Sequence, residues 1–163
     1  MKTFIVSAVL AASVAAAGAS YRPKYQITVT ADKRIDYSRF KTYTWMDTHP
    51  ARVAAIDAQI VAAVERELGA LGMTRVASGP GDVVATYASF TRTDVNVKAK
   101  PLNGTARPEY SVGVLVVSLL DPESLQPLLK IRADKPVDAA GLDATISATV
   151  GEMFKRYPIR RRH

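Results

Sequence analysis

Apolar residues in this chain recur with two different periods, and the points where one gives way to the other divide it into elements. From Glu109 to Asp121 the period is two: Tyr110, Val112, Val114, Val116 and Leu120 share one face, and Gly113, Leu115, Val117 and Leu119 the other. Both faces are mostly apolar, valine dominates, and the run is too short to cross a bilayer. It predicts a central sheet strand covered on at least one side. Upstream, Asp82 to Val97 is a long extended segment with Val83, Ala85, Tyr87, Ser89 and Thr91 on one face, the expected partner of 110–120. Asp121-Pro-Glu-Ser124 then turns the chain into Leu128 to Ala133, completing a three-strand meander.

Other strands flank this unit. Tyr25, Ile27 and Val29 alternate with polar residues, Ser38 to Trp45 carries Tyr43 and Trp45 on one face, and Met73 to Val76 reads as a short edge strand. The second period marks two helices. Val53, Ile56, Ile60, Val64, Leu68 and Leu71 form one stripe, with Gly72 at the position where a helix C-terminus favours glycine, and Asp47 to Pro50 supplies helix-starting residues before it. Leu142, Ile146, Val150, Met153 and Tyr157 form the other stripe, which Pro158 ends. The expected architecture is α+β: an antiparallel β-sheet with strand 110–120 inside it and two amphipathic helices packed on one face.

Length and composition fit one such domain, at 163 residues with 48% hydrophobic and 23% charged. The formal charge of +7 favours anionic partners. With no cysteine, thiol catalysis, disulfides, thiolate metal sites and lipid attachment to a cysteine are excluded. Residues 1–19 have the Lys2, apolar run and Ala-Gly-Ala order of a secretory signal peptide, which predicts cleavage near Ala19 or Ser20, a domain over 20–158 and a basic tail over 159–163. The mature chain then has no transmembrane helix, and periplasmic or secreted location follows.

Chemistry-bearing patterns are sparse. No Gly-x-Ser-x-Gly elbow, phosphate loop or His-Glu-x-x-His helix occurs, and the histidines are His49 in a turn and His163 at the end. No catalytic residue, cofactor site or metal site emerges. Asp82, Asp94, Asp121 and Asp134 lie near strand ends and read as turn and cap residues, and Asn103-Gly-Thr105 reads as a turn. Tyr43 and Trp45 offer an aromatic surface for a ligand, but their spacing beside an apolar helix favours the core. Lys98, Lys100 and Arg107 lie in a polar loop broken by two prolines, and together with Arg160, Arg161 and Arg162 they are the candidate contacts for an anionic surface. Nucleic acid is not an expected partner, because export separates it from the protein and aromatics do not interleave with the basic residues.

Phe40-Lys-Thr-Tyr-Thr-Trp45, the helix ending Glu67-Leu-Gly-Ala-Leu-Gly72-Met, the Gly-Pro-Gly-Asp-Val-Val stretch, Val114 to Asp121 and the closing helix into Tyr157-Pro158 occur in a familiar order. Over about residues 25 to 158 this resembles the bacterial envelope family called domain of unknown function 4136. The resemblance implies an α+β domain of the periplasm or outer envelope, often lipid-anchored, with no established activity and no catalytic residues to carry over. Two departures stand out. Ser20 ends the small-residue run where family members commonly have a lipid-bearing cysteine, and Leu128-Leu129-Lys130 stands where they often carry a tryptophan. The expectation is a non-catalytic envelope protein that binds or scaffolds envelope components, such as an anionic surface or another envelope protein. The alternative is a small-ligand carrier or hydrolase whose site is assembled only in the fold.

Overall fold

The computed structural model describes residues 25–46, 53–101, 106–136 and 142–159, with backbone alone at 142–144. The signal segment, the Asp47 to Pro50 helix-start cluster, His49, Asn103 and the arginine tail all lie outside these residues. Six strands form one sheet in the order β1-β6-β5-β4-β2-β3. They are β1 (Gln26–Ala31), β2 (Thr42–Trp45), β3 (Thr74–Arg75), β4 (Val83–Val95), β5 (Glu109–Leu120) and β6 (Pro127–Pro136). Helix α1 (Ala54–Ala70) follows β2, and α2 (Leu142–Phe154) follows β6.

The β4-β5-β6 meander is antiparallel throughout, β1 adds antiparallel to β6, and β5 lies third from that edge. The expectation of a wholly antiparallel sheet is corrected at the other end. There β2 pairs in parallel with both β3 and β4. The cause is the crossover: α1 carries the chain back along the sheet, so the next strands start from the end where β2 started, which no short hairpin can do.

Alternation decides which side of each strand meets the helices. Tyr43 of β2, Val83, Ala85 and Tyr87 of β4, Leu115, Val117 and Leu119 of β5, and Leu129, Ile131 and Ala133 of β6 share one face. They form a single core with Ile60, Ala63, Val64 and Leu68 of α1 and Val150, Met153 and Phe154 of α2. Both helices therefore cover the same face. Val53, expected in the α1 stripe, is 53% exposed, because it precedes the first helical residue. At the other end of α1, Gly72 takes φ +82° and its amide, with that of Met73, closes on the Gly69 and Leu68 carbonyls. This is the left-handed helix stop that glycine permits at low cost.

The segment between β1 and β2 crosses the end of the sheet from one edge to beyond β4. Part of what alternation predicted as strand is a 3-10 turn, Tyr37–Arg39, because the Asp36 carboxylate accepts from the Ser38 amide and hydroxyl and pulls the backbone round. Tyr37 pins the crossing. Its hydroxyl donates to the Leu128 carbonyl at 2.6 Å, and its own carbonyl accepts from Tyr157. Its ring meets Phe40 and Tyr157 edge-on.

Candidate functional site

The four aspartates near strand ends prove to have structural partners. Asp82 accepts from the amides of Lys41 (2.7 Å) and Thr42 (2.9 Å), and its own amide donates to the Thr42 hydroxyl, so it clamps the start of β2 to the start of β4. Those amides hold its carboxyl below the usual range. Asp121 accepts from Ser124 and Glu123 and shapes the β5-β6 turn. Asp82 and Asp121 border one hollow at this end of the sheet, together with Arg34 and Arg39, but their oxygens face backbone donors.

Asp94 and Asp134 lie on the face away from the helices. Arg92 of β4 donates to Asp94 at 2.9 Å and 3.0 Å and to Asp134 of β6 at 2.9 Å, and Arg132 also donates to Asp134. Arg92 stands opposite Val112 and Asp134 opposite Val114, so the guanidinium spans β5 between these two valines. This explains how Val112 and Val114 are buried on the face that neither described helix covers.

Tyr43 is buried, and Trp45 is half-buried against the core. The Tyr43 ring meets Trp45 edge-on, and Trp45 stacks on Tyr87 with centroids 6.4 Å apart. Tyr87 in turn donates its hydroxyl to Asp57 in the first turn of α1. These aromatics are packing.

The basic loop joins β4 to β5 at the end of the sheet remote from Asp82 and Asp121. Its base is built by Asn96, which is buried: its side-chain oxygen accepts from the amides of Lys98 and Ala99, and its amide donates to the Pro108 carbonyl. Arg107 donates to the Val97 carbonyl. On this base Val95 and Val97 stand 48% and 68% exposed beside the exposed Lys98, Lys100 and Arg107, with Glu109 as the neighbouring carboxylate. The last described residues before the tail, Tyr157 to Ile159, emerge near Tyr37 and Leu128 at the opposite end. That is about ten strand residues, or roughly 33 Å, from the loop. The described residues therefore do not bring the two basic segments together.

Sequence reasoning missed a cavity of about 340 Å³ between the sheet and the N-terminal halves of the two helices. It arises from a gradient along the helix-facing side of the sheet. Val29, Ile131, Val117 and Tyr87 make one filled cross-strand row, the next is Ile27, Ala133, Leu115 and Ser89, and the last is Lys135, Gly113 and Thr91. Where Ala133, Ser89 and then Gly113 replace Ile131, Tyr87 and Leu115, space opens between the sheet and the two helices. Ile56, Ile60 and Ile146 wall the space from above, with Thr145 and Thr149 beside them. The drop from Tyr87 to Ser89 and Thr91, matched by Gly113, was the signal available in the sequence. Among the described residues no group of three His, Asp or Glu could hold a metal, and no helix is long and apolar enough to cross a membrane.

A six-stranded mixed sheet with both helices on one face and a hairpin projecting beyond them defines an α+β class that solved structures share. The PelC dodecamer from Paraburkholderia phytofirmans is similar at 10% identity, covering 85% of this chain and 100% of that one, with TM-score 0.57. A PDZ domain protein from Parabacteroides distasonis is similar at 19% identity, covering 85% of this chain and 36% of that one, with TM-score 0.58. At the level of sequence, the chain belongs to the family described as Domain of unknown function (DUF4136), which matches residues 27–159. No curated protein matches it.

Proposed function

We propose that this is a non-catalytic bacterial envelope protein, acting in the periplasm or outside the cell, that attaches to an anionic envelope surface through the β4-β5 hairpin tip. The observation that carries the reading is the tip itself, where two exposed valines stand among three cations on a base fixed by Asn96. Each cation contributes about 1 kcal/mol near an anionic lipid surface, and the valines add apolar contact that free solvent disfavours. Glu109 opposes part of this. The attachment is therefore weak, reversible and salt-sensitive, the regime suited to binding or scaffolding other envelope components. Export is supported by the Lys2, apolar-run and Ala-Gly-Ala order, and native protein whose mass begins at Met1 would contradict it.

The test is sedimentation with anionic vesicles. The protein is expected in the pellet at low ionic strength and in the supernatant at several hundred millimolar salt, where screening is complete within about 5 Å. Replacing Lys98, Lys100 and Arg107 together by alanine should abolish sedimentation, while Arg160, Arg161 and Arg162 to alanine reports what the tail adds. Full sedimentation of the loop variant would overturn the role of the tip. A second reading, a small-ligand carrier, is favoured by the cavity beneath α1 and α2.

A further inference from the structure

We infer that this cavity binds a single medium-length acyl chain ending in a carboxylate, with Lys135 as the counter-ion. This develops the carrier reading and does not depend on the hairpin tip. The volume, about 340 Å³, lies at the small end of ligand sites, which run from roughly 300 to 1,000 Å³. It equals roughly eleven water volumes at ~30 Å³ each, and a methylene is close to a water in size, so roughly ten carbons fill it. The inner walls are mostly apolar, from Ile56, Ile60, Leu115, Ala133 and Ile146, with the hydroxyls of Ser89 and Thr149 as the polar groups among them.

Among the described lining residues, charge is confined to the outer row. Lys135 lines the cavity, forms no ion pair among the described residues, and has no carboxylate among the other lining residues. Its neighbours Asp134 and Arg132 are committed to each other on or near the opposite face. Gly113 separates Lys135 from Thr91 in the same row, leaving the approach to both open for a head group. A mostly apolar interior with one cation at its rim, unpaired among the described residues, complements an apolar tail with one anionic end. A neutral ligand would leave the lysine unused, and a cationic one would meet it directly.

The experiment is calorimetric titration of the full protein, without lipid, using decanoate below its micelle concentration and decyltrimethylammonium as a tail of opposite charge. Decanoate is expected to bind one per chain and the cation at least tenfold more weakly. Lys135→Gln should weaken decanoate at least tenfold and remove the difference between the two. Ala133→Leu and Ser89→Leu fill the cavity from separate strands. Whichever keeps the wild-type circular dichroism should lose decanoate at least tenfold, while the loop triple-alanine protein should bind as wild type does. No saturable binding by wild type would overturn the proposal. So would binding unchanged by either filled variant, which would place the amphiphile on the basic surface instead.

Discussion

Replacing Gly81 by alanine tests how β2 is held against β4. An added Cβ would lie 2.7 Å from the Tyr43 Cα and 2.8 Å from the Tyr43 carbonyl carbon and the Thr44 nitrogen. These are backbone atoms of a strand hydrogen-bonded on both sides, so no side chain can swing away to make room. Either β2 shifts off β4 or Asp82 releases the amides of Lys41 and Thr42. Overpacking costs about 1–3 kcal/mol, and a backbone obstacle with a clamp attached places G81A near about 3 kcal/mol. For a domain of this size that lowers Tm by roughly 10 °C. Urea unfolding followed by circular dichroism measures the loss. The emission of Trp45, the sole tryptophan and itself on β2, reports whether the strand has moved. Gly69→Ala is the control: on α1, with nothing within 4 Å of its added Cβ, it should stabilise by about 0.5–1 kcal/mol. A G81A protein with the wild-type urea midpoint and unchanged Trp45 emission would refute the reasoning.

Other outcomes follow from the same contacts. The carboxyls of Asp82, Asp121 and Asp134 are held low by the Lys41 amide, the Ser124 amide and Arg132 respectively, and Arg34 holds Asp32 at about 2. Carboxyls depressed in the fold stabilise it while ionised, so urea midpoints should hold above about pH 5 and fall as pH drops through about 4 towards 2. Asp82→Asn should flatten that fall, and a wild-type midpoint unchanged below pH 4 would contradict it. On the alkaline side burial raises the Tyr157 hydroxyl to about 12, so its stabilisation is complete below about pH 10 and lost between 10 and 12. Tyr157→Phe should cost about 1 kcal/mol at neutral pH, through the lost bond to the Tyr37 carbonyl, and show a shallower alkaline decline by circular dichroism. Arg92→Met, which keeps an apolar stem over Val112 and Val114, should unfold close to the wild-type urea midpoint, and Arg92→Ala at a clearly lower one. Equal losses in the two would show that charge, not cover, is what Arg92 supplies.

The elements were legible in the amino-acid order because each depends on neighbours two to four positions apart. The face shared by Val83, Ala85 and Tyr87, the α1 stripe from Ile56 to Leu71 and the glycine stop at Gly72 need no distant partner to be seen, and they stand where expected. The α+β class and the meander follow from their sequence of occurrence, as does the family. What only the tertiary structure decided is non-local. The parallel pairing of β2 with β4 joins residues some forty positions apart, and its clamp is a carboxylate, Asp82, that by itself looks like any turn aspartate. Tyr37 reads as one more polar-tipped aromatic until the fold lays it across Leu128, 91 residues away. The cavity is further still from the sequence, since Ser89, Gly113 and Lys135 are unremarkable on their separate strands. They make a space only when register sets the small residues side by side beneath the two helices, with Ile56 and Ile146 above. A volume is a property of what surrounds it, and no period along one chain can encode it.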